Sequence, residues 1–166
     1  MTGVQTCALP ISHHRRVVAV DASPETIALN RARAGGAHVE YVLADVFNWQ
    51  PPAGSFDLVF FGFWLSHVPP ARFEAFWNQV RSALRPGGRV FFVDSQLEQN
   101  STALDHHLLD RSGVVTRKLN DGREFTIVKV FHEAADLERR LHTLGWEGRV
   151  RSTGQFFLYG EMRAAA

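Results

Sequence analysis

Two carboxylates stand at places where an α/β protein does its chemistry. Asp21 directly follows the apolar run Val17-Val18-Ala19-Val20, and Asp45 follows Val39–Leu43 and a single alanine. In an open parallel sheet, ligands bind beyond the carboxyl ends of the strands. An acid at the end of such a strand can accept hydrogen bonds from both ribose hydroxyls of an adenosine. Asp45 is placed to accept from an adenine amino group, with Val46 or Phe47 covering the ring. The plainer reading is that each aspartate caps the turn that follows it. Asp21 alone does not decide between these readings, whereas the pair in this order favours a nucleoside site.

A third segment, Phe60-Phe61-Gly62-Phe63-Trp64-Leu65-Ser66-His67, follows the next strand and is unusually aromatic for a loop. It could line a pocket beside the reactive end of a cofactor, with Gly62 allowing close backbone approach. Equally, Phe63 or Trp64 could be core. His67 is a candidate general base because imidazole titrates nearest neutrality; the competing role is a structural hydrogen bond. His13-His14 and His106-His107 do not make a metal site. Adjacent side chains diverge on a helix or strand, and no HExxH or carboxylate cluster accompanies them. There is no GxSxG elbow and no Walker loop.

Short apolar runs alternate with amphipathic stretches, as in a largely parallel sheet covered by helices. A strand over 17–20 leads to Ser23 as helix cap, Pro24 in the first turn and Glu25 near the positive end of the helix dipole. That helix runs to Ala34 and stops at Gly35-Gly36. Strands follow at Val39–Leu43 and Asp57–Phe61. Phe73, Phe76, Trp77, Val80 and Leu84 recur at helical spacing, giving a helix from Ala71 to Leu84. Arg85-Pro86-Gly87-Gly88 ends it, and Arg89–Asp94 reads as a strand. Residues 96–112 are polar with scattered leucines, helical or irregular. Val114–Leu119 and Glu124–Phe131 flank the hairpin signal Asn120-Asp121-Gly122. A short helix bearing Leu137, Leu141 and Leu144 stops at Gly145. Two strands close the chain, Trp146–Arg151 and Phe156–Glu161.

The 166 residues suit one domain with a real core. Eighteen Lys+Arg against seventeen Asp+Glu leave a formal net charge of +1, no footprint for nucleic acid or an anionic membrane. Cys7 is the single cysteine, which excludes an intrachain disulfide. No apolar run reaches the roughly 20 residues that span a bilayer. Met1–Ile11 lacks the pattern of a secretory signal. A cytoplasmic monomer is the default.

The runs VVAVDAS, VEYVLADVF, FDLVFFGFWLSHVP and LRPGGRVFFVDS, in this order and spacing, resemble the class I S-adenosylmethionine-dependent methyltransferase family. The resemblance covers Val17 to Asp94 strongly and the tail more weakly. It implies a Rossmann-like three-layer α/β sandwich, its sheet mostly parallel with an antiparallel strand near the C-terminus. It implies S-adenosyl-L-methionine as cofactor and transfer of its methyl group to a small-molecule acceptor. By position, Asp21 with Ala22 would hold the ribose, Asp45 and Val46 the adenine, and Phe61 with Gly62 the methionine side. His67 would deprotonate the acceptor, and residues 96–131 would cap it.

The family's opening strand, GxGxG loop and helix are not found in the twenty residues before Asp21. MTGVQTCALPI, residues 1–11, reads as foreign sequence joined to a partial methyltransferase domain over 12–166, with a divergent native N-terminus as the other reading. Without a glycine-rich loop, weak cofactor binding is expected. Two other functions fit less of the pattern: a nicotinamide-dependent oxidoreductase fragment, which also uses an acid after a strand for ribose, and a non-catalytic cofactor-binding remnant.

Overall fold

Val17–Asp21 (β1) is followed by the helix Pro24–Ala34 (α1) and by Val39–Leu43 (β2), the βαβ pattern of the sequence. A computed structural model of the chain describes residues 16–34, 38–96, 106–107, 113–118 and 121–165, in two units divided along the chain between Gln50 and Pro51. In the first unit β1 and β2 are parallel, with Val17 opposite Val39 and Asp21 opposite Leu43. The ladder continues one step, from the Ala44 amide to the Asp21 carbonyl at 3.0 Å. The start of α1 is built as its sequence dictates. The Thr26 amide donates to the Ser23 hydroxyl at 3.1 Å, and Pro24, which has no N–H to satisfy, takes the first helical position. The Ser23 hydroxyl also donates to Glu25, and the backbone amide of Glu25 together with that hydroxyl lowers the carboxyl's pKa.

The second unit begins with Phe56–Gly62 (β3), then 3-10 turns at Leu65–His67 and Pro70–Arg72, and the helix Phe73–Ala83 (α2). Leu84–Ser95 (β4), His106–His107 (β5), Val114–Lys118 (β6) and Glu124–Val128 (β7) follow. The helix Ala134–Thr143 (α3) and the strands Trp146–Ser152 (β8) and Phe157–Ala164 (β9) complete it. Four strands form one sheet in the order β3-β4-β9-β8. β3 and β4 are parallel, while β9 runs antiparallel to both its neighbours. The last strand is therefore the inverted one. β5, β6 and β7 form a separate antiparallel sheet.

The period-2 burial of β4 decides which face is core. Val90, Phe92 and Asp94 point inward, and Arg89 and Phe91 point out. Against the inner face lies the apolar stripe of α2, where Phe73, Phe76, Trp77, Val80 and Ala83 are buried. Phe61 stacks on Phe92 with ring centroids 5.6 Å apart and an interplanar angle of 8°, and Trp77 meets Phe61, Phe92 and Trp146 edge-on. Leu137 and Leu141 of α3 and Leu158 and Met162 of β9 fill the rest, each at most 1% exposed. Buried aromatics of this size dominate a core's stabilisation; removing one costs about 3–5 kcal/mol.

Several boundaries differ from the sequence expectation, among them the last strand, which is Phe157–Ala164 rather than Phe156–Glu161, and His106–His107, which is a strand; three of the differences have a local reason. α2 starts two residues later than Ala71, because the chain first makes the 3-10 turn at Pro70–Arg72. β4 starts at Leu84 rather than Arg89. Leu84 pairs with Phe56, and the register then jumps to Leu58 opposite Arg89, so the Arg-Pro-Gly-Gly stretch is a bulge within the strand. Gly88 makes that bulge possible: a Cβ there would lie 2.9 Å from the Arg85 carbonyl and 3.0 Å from that of Phe56. β7 ends at Val128 rather than Phe131, since the amides of Lys129 and Val130 donate to the carbonyls of Gly113 and Ser66 instead. Met1–Ile11, His13-His14, Gly35-Gly36 and much of 96–131 lie outside the described residues.

Candidate active site

Asp21 and Asp45 stand at the carboxyl ends of the two adjacent parallel strands of the first unit. Each caps its own turn. Asp21 Oδ1 accepts from the Ser23 amide at 2.8 Å, which leaves Oδ2 without a partner among the described residues. Asp45 Oδ1 accepts from the Phe47 amide at 3.0 Å and Oδ2 from the Asn48 side chain at 2.9 Å. Capping and ligand binding are compatible, because an ionised carboxylate offers about four acceptor positions. The turns fix both carboxylates at the strand ends. Ala22, between Asp21 and the helix cap, is exposed, and Val46 is half-buried in the turn after Asp45.

In the second unit the strand-end segment is stitched down from several directions. Phe61 turns its ring into the aromatic core beside Phe92 and Trp77, so the strand presents its backbone at this position. Gly62 pairs with Val93, and the Phe63 amide donates to the Val93 carbonyl at 2.7 Å. Phe63 has φ +54°, the left-handed region that a bulky side chain rarely occupies. Such strain costs on the order of 1–3 kcal/mol and persists where surrounding contacts impose it. Here the Phe63 ring packs edge-on against Phe157, centroids 5.6 Å apart. The chain then enters the 3-10 turn that holds Leu65 and Ser66 in the interior.

His67 closes this turn. Its amide donates to the Trp64 carbonyl at 2.8 Å, and its Nδ1 lies 2.7 Å from the Val128 carbonyl oxygen. A carbonyl only accepts, so Nδ1 carries the proton and the neutral ring has its lone pair on Nε2.

Beside it lies a buried polar cluster that the sequence reading did not single out. Asp94, near the end of β4, has a side chain 1% exposed; Lys129, just past β7, has one 9% exposed. Asp94 Oδ2 accepts from the Ser66 amide at 2.8 Å and Oδ1 from the Ser95 amide at 2.7 Å. The Lys129 ammonium donates to the Ser66 hydroxyl at 2.8 Å and lies 3.8 Å from Asp94 Oδ1. Burial pushes the Lys129 pKa down, and the Asp94 charge opposes that shift. His132, three residues beyond Lys129 on the strap that links β7 to α3, is also pushed down by burial, and its Nε2 has no partner among the described residues. Two signals in the sequence pointed here. Val-Phe-Phe-Val-Asp repeats the apolar-run-then-Asp pattern of Asp21, and Lys129 interrupts the apolar run Phe125–Phe131.

Among the described residues, no group of three or more histidine, cysteine or acidic side chains could hold a metal ion. No helix there is long and apolar enough to cross a membrane.

The chain matches the model of a methyltransferase domain family over residues 2–88. Among solved structures it is similar to DhpI in complex with SAH, at 45% identity and a TM-score of 0.75, covering 90% of this chain and 66% of that one. It is similar to DhpI in complex with SAM and HEP at 43% identity and the same TM-score, covering 90% and 68%. A Pyrococcus horikoshii protein shares the fold at 18% identity, with a TM-score of 0.71 and coverage of 90% and 71%. No curated protein matches the chain. The chain belongs to the class I S-adenosylmethionine-dependent methyltransferases, and its α/β fold is the Rossmann-like fold of that family. It spans about two thirds of the length of the two DhpI chains. The cofactor of the family is S-adenosyl-L-methionine.

Proposed function

We propose that this protein transfers the methyl group of S-adenosylmethionine to a small-molecule acceptor. The observation that carries the reading is the pair of carboxylates, Asp21 and Asp45, at the carboxyl ends of adjacent parallel strands. Asp21 Oδ2 is an acceptor suited to ribose hydroxyls, with the Ala22 backbone beside it. Asp45 suits an adenine amino group, with Val46 against the ring. The backbone of Phe61 and Gly62 takes the methionine side; the Phe61 ring stays in the core.

The bound cofactor supplies a sulfonium that makes its methyl group electrophilic. The chain's own contribution is then alignment of the acceptor and removal of its proton. His67 is the base: with Nδ1–H committed to Val128, Nε2 is the atom that receives the proton. Residues 96–131 cover the acceptor. The net charge of +1 disfavours a nucleic-acid substrate. The 166 residues contain no GxGxG sequence, and the proposal includes weak cofactor binding by this chain as it stands.

Isothermal titration of SAH into this chain, into a version carrying a family-like first strand and glycine loop, and into the Asp21→Ala variant of that version tests the reading. Saturable binding in the extended version, lost by more than tenfold on Asp21→Ala, is the expected result. NAD binding in place of SAH would overturn it in favour of an oxidoreductase. Tight SAH binding by the 166 residues alone would overturn the expectation of weak binding.

A further inference from the structure

The residue that defines the catalytic turn is held by three groups outside the reaction. Ser66 makes three hydrogen bonds to distant segments of the second unit. Its amide donates to Asp94 of β4, its hydroxyl accepts from Lys129, and its carbonyl accepts from the Val130 amide at 2.7 Å. The neighbouring imidazole bonds the carbonyl of Val128, in the same 128–130 stretch. Residues 66–67 and 128–130 are thus laced together, and the Lys129–Asp94 pair ties that lacing to the end of β4. Seating an ion pair this deep is unfavourable unless its geometry is fully satisfied. A simple packing role would be served as well by apolar residues of the same volume.

We propose that Asp94, Ser66 and Lys129 are positioning residues for His67. They hold the 3-10 turn against the 128–130 strap so that the imidazole keeps its proton on Nδ1 and offers Nε2 to the acceptor. The inference rests on His67 being the base, as proposed above. Lys129 does not bind the acceptor in this scheme; its ammonium is engaged by Ser66 and Asp94. The charged and titratable groups brought to this turn by the described residues are Asp94 from β4, Lys129 and His132 from the strap, and Arg140 of α3, which reaches the Pro70 carbonyl.

Nitrogen NMR of the histidine rings in the 166-residue chain reads the arrangement without needing the acceptor, with His67→Asn assigning the signal. The wild type shows His67 as the Nδ1–H tautomer. In Ser66→Ala, and in the doubly neutralised Asp94→Asn/Lys129→Met, His67 becomes a tautomer mixture. Ser66→Thr, which keeps the hydroxyl, restores the wild-type signal. Circular dichroism melting confirms that each variant is folded; if the double variant is not, Ser66→Ala decides alone. A His67 signal in folded Ser66→Ala identical to wild type overturns the proposal. The two readings fail separately. If, in the version carrying a family-like first strand and glycine loop and active on at least one of a panel of small alcohols, amines and acids, His67→Asn transfers methyl groups from labelled S-adenosylmethionine as fast as its parent, the base assignment falls while the positioning result stands.

Discussion

His67 donates from Nδ1 to the carbonyl of Val128, 61 residues along the chain, at 2.7 Å. That bond assigns the ring's two nitrogens different tasks. Asn can place an amide N–H where Nδ1 was, but it has no basic atom. His67→Asn is therefore expected to leave SAH affinity within about twofold, keep the turn intact and lower kcat by 10²–10⁴, the usual range for loss of a general base. Single-turnover methyl transfer with an identified acceptor checks this. A loss confined to KM would assign His67 to acceptor binding.

Asp94 and Lys129 make a prediction about stability. Asp94→Ala leaves a buried ammonium with the Ser66 hydroxyl and the face of the Phe131 ring but no counter-charge, and breaking a buried pair from one side costs about 3–5 kcal/mol. Removing both charges with Asp94→Asn/Lys129→Met is expected to recover more than half of that loss. Urea unfolding of the three proteins gives the comparison. Equal losses in the single and double variants would mean that the Asp94 hydrogen bonds to the Ser66 and Ser95 amides, not its charge, carry the effect.

The same cluster sets a pH dependence. His132 has its folded-state pKa below 6.5 because burial disfavours the imidazolium. Between that folded value and 6.5 the unfolded chain binds more protons than the folded one. Stability therefore rises with pH in this window and falls as pH drops through it. Lys129 acts with the same sign in the alkaline window below 10.5, where its folded-state pKa is likewise lowered. Melting temperatures measured from pH 5 to pH 7.5 are expected to climb in the wild type and to climb less in His132→Phe. An unchanged slope in His132→Phe would assign the dependence to another group.

What the sequence made legible follows from how local each signal is. The Asp21 and Asp45 strand ends, the Ser23 cap and the α2 stripe from Phe73 to Val80 are set by neighbours within a few residues and stand as read, while Leu84, expected on the helix, opens β4. The bulge at Gly88 depends on Phe56, and the early end of β7 depends on Ser66. Both are pairings between distant segments that no window along the chain contains. Phe61 shows the same limit. Its position at a strand end suggested a pocket, but strand alternation places its ring on the face that Trp77 and Phe92 cover. The Asp94–Ser66–Lys129 cluster required three separate segments to meet, so its two sequence signals had nothing to join them.

Gly160 is the point where that aromatic core is most tightly closed. It lies on β9 opposite Phe92 of β4, and a Cβ there would sit 2.4 Å from Phe92 Cζ. Its backbone conformation is ordinary, so the restriction is space alone. Phe92 is fully buried between the Phe61 stack and the edge of Trp77, and its ring cannot withdraw without disturbing both. Gly160→Ala is accordingly expected to cost about 1–3 kcal/mol, the range for overpacking a filled core. Phe92→Leu frees the same space by shortening the opposing side chain. In the double variant the two changes should therefore be less damaging together than their sum, a coupling of about 0.5–3 kcal/mol in a double-mutant cycle by urea unfolding. Strict additivity would show that the added methyl is absorbed elsewhere, through a shift of β9 against β4. Because Phe61 stacks on Phe92 and precedes Gly62, Gly160→Ala should also weaken SAH binding, and Phe92→Leu should partly restore it.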